Sequence, residues 1–86
     1  MTTRTRLKAW GLCLNGRDRF IVAAATRKRA AVALSKVGIT PYQFRTHGYQ
    51  TEDVREVTRA SMVPEVVLRR PVTAAFADEW TEVRQR

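Results

Sequence analysis

Cysteine is almost missing from this chain. Cys13 is the only one, so no internal disulfide is possible and a secreted scaffold stapled by several bridges is excluded. Histidine is equally scarce, and Cys13 with His47 falls well short of the four ligands of a structural zinc site. There is no glycine-rich phosphate loop, since Asn15-Gly16 reads as a turn. Long apolar runs are missing too. Residues 20–25 form the longest one near the start, far below the roughly 20 residues of a membrane-spanning helix. The opening Met-Thr-Thr-Arg-Thr-Arg is basic like the first region of a signal peptide, but the apolar run that follows is too short and too late for export. A cytoplasmic protein with no membrane partner is expected.

The most informative shortage is of acid. Residues 1–40 contain nine lysines and arginines against Asp18 alone, whereas residues 41–86 contain seven cations and seven acids. The whole net charge of +8 therefore belongs to the first half. Such asymmetry makes a one-sided positive field, suited to nucleic acid or to an acidic protein surface. Solubility alone does not demand it, because a surface of mixed charge keeps a chain soluble as well.

Catalysis fails on inventory. Glu52, Asp53 and Glu56 read as the charge pattern of one helix, Cys13 as a small buried hydrophobe within a strand, and His47 as a helix-end residue. A non-enzymatic protein is expected, with no cofactor, no metal and no small-molecule substrate.

What is present suffices for one domain across residues 1–86, with residues 1–6 and 85–86 frayed. The hydrophobic fraction of 44% is that of a globular chain rather than a disordered one. The expected core is Trp10, Leu12, Phe20, Ile21, Val22, Leu34, Ile39, Phe44, Val66 and Leu68. Residues 7–14 and 19–25 read as a hairpin joined at Asn15-Gly16. A two-residue loop would set Leu12 opposite Arg19 and mix the faces. A loop one residue longer sets Leu12 opposite Phe20 and Trp10 opposite Val22, and alternation favours it.

Thr26 caps a helix predicted from residue 27 to about 37, with Ala30, Ala31, Leu34 and Val37 as its buried stripe and Gly38 as its left-handed stop. Thr40, Pro41 and Gln43 then form a capping box with proline at the first helical position, stapled by Ile39 and Phe44. That short helix ends near Gly48. A third is predicted from Thr51 to about residue 62, burying Val54 and Val57. Residues 65–70 read as a strand, and residues 73–84 as a terminal helix with Phe76, Trp80 and Val83 on one face. The class is α+β: a small antiparallel sheet, made of the N-terminal hairpin and a later strand, packed against three to four helices that include a helix-turn-helix-like pair.

Three groups of residues are candidates for binding. Arg27, Lys28 and Arg29 open a helix, where cations oppose the macrodipole; this suits an anion site, or three solvated side chains whose local cost is tolerated. Tyr42, Gln43 and Arg45 lie on the second helix of the pair, where Gln is able to read adenine and Arg guanine, although such helix pairs also occur in proteins that never touch DNA. Arg17 and Arg19, with Arg4, Arg6 and Lys8, sit on and beside the hairpin, either to track a phosphate backbone or to protect a strand edge.

Between Trp10 and Pro71 the chain resembles small proteins of bacteriophages, prophages and other mobile elements of proteobacteria. The resemblance is carried by Trp10-Gly11, the stretch Gly16-Arg17-Asp18-Arg19-Phe20-Ile21-Val22-Ala23-Ala24, the helix start Thr26-Arg27-Lys28-Arg29-Ala30-Ala31, Gly38-Ile39-Thr40 with Phe44-Arg45, and Gly48-Tyr49-Gln50-Thr51-Glu52. It implies no catalytic residues. It implies a part in phage–host conflict, as a DNA-binding or transcription accessory, or as an inhibitor of a CRISPR or other defence complex. Val72 to Arg86 lies outside it. The expected function is a binding protein that engages nucleic acid, or a complex containing it, through its basic first half; the alternative is an anti-CRISPR-type inhibitor docking on a host effector protein.

Overall fold

Asn15 and Gly16 turn the chain because both occupy the left-handed region, at φ 54° and 64°. The Arg17 N–H closes the turn onto the Leu14 carbonyl at 3.1 Å, and Arg17 is the residue that lengthens the loop. In the computed structural model, which describes residues 7–72 and 80–83, β1 (Lys8–Leu14) and β2 (Asp18–Ala24) consequently pair with Leu12 facing Phe20 and Trp10 facing Val22. This is the register that alternation predicts.

The opposite parity of the same strands is buried as well. Trp10, Leu12 and Val22 join one apolar cluster, and Ala9, Ile21 and Ala23 join a second on the other side of the sheet. The continuous apolar run of β2 reflects this double burial, the pattern of a central strand covered on both faces. Three further strands complete an antiparallel sheet in the order β3-β1-β2-β4-β5. Of these, β3 (Tyr49–Thr51) pairs with β1, β4 (Leu68–Pro71) with β2, and β5 (Thr81–Glu82) with β4.

Helices α1 (Arg27–Ser35) and α2 (Pro41–His47) cover one face through Ala30, Ala33, Leu34 and Phe44, while α3 (Val54–Ser61) covers the other through Ala60. The molecule is therefore α+β, with five strands and three helices among the described residues.

Local signals set the helix ends. Thr26 Oγ1 accepts from the Arg29 N–H at 3.2 Å. At the other end of α1, the Ile39 N–H reaches the Leu34 carbonyl at 3.0 Å and the Gly38 N–H reaches that of Ser35 at 3.2 Å. With Gly38 at φ 93° these two bonds form a Schellman stop. The capping box of α2 closes on both sides: the Gln43 N–H donates to Thr40 Oγ1 at 3.1 Å and the Thr40 N–H to Gln43 Oε1 at 2.9 Å. Gly48 is extended, so φ does not demand glycine there. A Cβ would lie 2.1 Å from the Phe44 ring, and that close approach does demand it.

Several expectations are corrected. Asp53, not Thr51, caps α3; its Oδ1 accepts from the Arg55 N–H at 2.9 Å, which leaves Thr51 to pair in β3. Val54 is 76% exposed rather than buried, because the face of α3 that meets the sheet carries Glu56 and Ala60. Helix α1 stops at Ser35, short of the expected residue 37; its buried face runs through Ala33, with Ala31 and, beyond the helix end, Val37 packed at the margin. Val67 replaces Val66 in the core, a one-residue change of parity. The helix expected over residues 73–84 falls in large part outside the described residues, and within them Thr81–Glu82 is a strand. Trp80 and Val83, three apart, would share a helix face; here they enter opposite clusters, as period two requires.

Candidate functional site

The basic residues separate into those neutralised by a carboxylate and those left open. Arg19 belongs to the first group. It was expected on the hairpin surface as a binding cation, yet it is only 8% exposed. It points to the α3 side of the sheet, where its Nε and Nη2 donate to the two Glu56 oxygens at 2.5 and 2.7 Å. Gly11 on the neighbouring strand makes room, since a Cβ there would lie 2.9 Å from Arg19 Nη2. The Tyr49 ring covers the guanidinium at 5.2 Å.

Burial alone would raise the Glu56 carboxyl. Hydrogen bonds from Arg19 and from the Thr51 hydroxyl (2.7 Å), with the added pull of Arg70, outweigh it and hold the group below its ordinary range. The Glu56 hydrogen bond in turn raises Arg19, against the opposing effect of its own burial, so it stays charged. Glu56 is thus not a surface charge of a helix but half of a buried clasp between α3 and β2. Cys13 is likewise corrected: it is exposed at the sheet margin, its sulfur 3.6 Å from Arg19 Nη1.

Arg29 pairs with Glu65 at 2.9 Å across an exposed surface, and Arg69 with Asp18 at 3.3 Å. Arg17 is exposed in the hairpin loop, at the opposite end of β2 from the start of α1, about 20 Å along the strand. Neither Arg17 nor Arg19 therefore joins the helix cations in one site.

Arg27, Lys28 and Arg45 do come together. With Ala31, Pro41 and Phe44 they line a groove of about 390 Å³ between α1 and α2. The floor is apolar, the three cations form the rim, and none of these six residues is acidic. The first turns of α1 and α2 contain no acid either. Among the described residues no carboxylate lies within ion-pair distance of the three.

Arg27 is held in place. Its guanidinium lies 4.6 Å from the centre of the Phe44 ring and 5.9 Å from that of Trp10, and Nη2 donates to the Phe44 carbonyl at 3.3 Å. Nη2 thus accounts for one bond of a fork with five N–H donors, on a residue that lines the groove. Tyr42 stands one step further round α2, 66% exposed, with the Arg45 guanidinium 5.8 Å from its ring centre.

The Gln43 side chain is engaged in its own helix cap. Its side-chain oxygen is bound to the Thr40 backbone in the capping box, and a bidentate pair with adenine needs that oxygen free. Sequence reasoning placed the rim residues on two separate elements but did not assemble them, and Ala31, Pro41 and Phe44 entered it only as helix and core positions. The Pro41-x-x-Phe44 spacing, which sets both on the side of α2 facing α1, was the available signal. No metal-binding cluster of three or more His, Cys, Asp or Glu occurs among the described residues, and no described helix is long and apolar enough to cross a membrane. Comparison with protein-family models, with curated proteins and with solved structures finds no match.

Proposed function

We propose that this protein binds nucleic acid without catalysing a reaction on it, gripping the sugar–phosphate backbone through the groove between α1 and α2. One observation carries the reading. Arg19, Arg29 and Arg69 are neutralised by carboxylates, while Arg27, Lys28 and Arg45 converge from two helices on one groove with no acid in its lining. Helix electrostatics do not ask for Arg27 and Lys28, because cations in the first turn of a helix oppose its dipole. Phosphate neutralisation does ask for it, and Arg is well suited to bind phosphate in a fork geometry.

The same geometry argues against reading a base sequence. At seven residues, α2 is about 10 Å long, and its Gln43 is occupied by the cap. Contacts to about three phosphates give a logarithmic salt slope near −2 on a single strand and −3 on a duplex. Affinity should then fall roughly 15- to 40-fold between about 50 and 200 mM salt.

Fluorescence anisotropy with a random single strand and a random duplex measures this directly. Binding that weakens with salt, and a slope made shallower by about 1.4 on the single strand and about 1.8 on the duplex in a Lys28→Gln/Arg45→Gln variant, is the expected result. Absence of binding to either probe at low salt refutes the proposal. A partner captured from host lysate that survives nuclease, on the same three cations, would replace it with docking on an acidic surface of a host defence protein.

A further inference from the structure

We infer that the groove takes single-stranded rather than duplex nucleic acid, with Tyr42 as the platform on which one base stacks. The inference rests on the backbone-binding reading above and adds the class of strand. An exposed tyrosine by itself means little, since single apolar residues are common on surfaces. Its setting is what matters. Beyond the cationic rim on one side is a floor of Ala31, Pro41 and Phe44; beyond it on the other is a ring with two-thirds of its surface open.

A duplex offers such a floor nothing. Its bases are stacked inward, its phosphates lie on a convex surface, and a groove between two adjacent helices is too narrow to admit it. A single strand offers both parts of the match: phosphates for Arg27, Lys28 and Arg45, and unstacked bases whose faces lie on aromatic rings. Arg45 lies 5.8 Å from the centre of the Tyr42 ring and on the groove rim at once. A phosphate bound by Arg45 therefore brings the adjoining base within reach of that ring. Arg27, fixed by Phe44 and Trp10, presents its donors with little further ordering on binding.

The test compares a short fluorescein-labelled oligothymidylate with a hairpin duplex of equal charge, at one salt concentration, by anisotropy. The single strand should bind at least tenfold more tightly. Tyr42→Ala should lower its affinity about tenfold or more, as loss of one stacked base does, while the salt slope stays unchanged. Tyr42→Phe should restore binding. Thermal melting of each variant should match the parent, since the side chain is exposed. Equal binding of hairpin and single strand, or a Tyr42→Ala variant that binds the single strand as well as the parent does, overturns this inference and leaves the backbone-binding reading standing. Failure of both probes at low salt overturns the two together. Equal binding of polyglutamate at matched charge also overturns both, in favour of an acidic protein partner.

Discussion

Glu56→Gln should unfold this protein more readily than any other single change outside the apolar core. The substitution keeps the shape of the side chain and removes its charge. Arg19, whose side chain is 10% exposed, then stays charged without a counter-ion in a site bounded by Gly11, Tyr49 and α3. Breaking a buried ion pair at one partner costs about 3–5 kcal/mol. Here the lower end applies, about 3 kcal/mol, because the amide oxygen still accepts one Arg19 bond and the exposed edge at Cys13 admits water. Against a total of roughly 4–13 kcal/mol for a chain of this length, that loss is large. It corresponds to a fall in melting temperature of roughly 12–24 °C.

The pH dependence has a definite sign. The folded Glu56 carboxyl lies below its ordinary value of 4.5, so its contribution is complete above that pH and is lost as the pH falls through the folded value. Melting temperatures followed by circular dichroism from neutral pH downward should therefore decline for the parent below pH 4.5, and less for Glu56→Gln. The two curves should converge in acid. A double replacement by apolar residues of similar volume, Arg19→Met with Glu56→Leu, should recover much of the loss, since the remaining charge is no longer stranded. If Glu56→Gln melts within experimental error of the parent at neutral pH, the clasp is not buried in solution and the reasoning fails.

The cations at the start of α1 should behave differently from one another. Lys28→Gln should leave the melting temperature unchanged or slightly higher, by relief of the helix dipole, whereas Arg27→Gln should lower it through lost packing on Phe44 and Trp10; equal effects would contradict the distinction. Gly48→Ala should destabilise by about 2 kcal/mol or more, because its Cβ meets the Phe44 ring at 2.1 Å and that ring is anchored in the core, as denaturant titration would register. Cys13 should react with a thiol reagent in the native protein at a rate near that in denaturant, and protection of the native thiol would refute its exposed position.

Much of the local architecture was decided within a few residues of chain. Asn15-Gly16 bends the hairpin by its own φ preference, and alternation from Trp10 to Leu14 selects the three-residue loop. Thr26, Gly38, and Thr40 with Gln43, satisfy helix-end groups three to five residues away, so their roles were legible from the sequence alone. The charge asymmetry was legible too, and with it the placing of Arg27 and Lys28 at a helix start and of Arg45 on the next helix. What tertiary structure decided is which elements meet. Arg19 and Glu56 are 37 positions apart, and nothing local distinguishes their buried pair from two surface charges. Tyr49–Thr51 is a strand only because β1 offers an edge, and Trp80 and Val83 part to opposite faces only because β4 does. The groove follows the same rule: α1 and α2 each present cations by their own sequence, but burial of Leu34 and Phe44 against one sheet face brings Lys28 and Arg45 to a common opening. Capping and turn chemistry act through backbone neighbours, whereas a binding surface depends on packing contacts distant in sequence, which is why the first could be read in the chain and the second needed the fold.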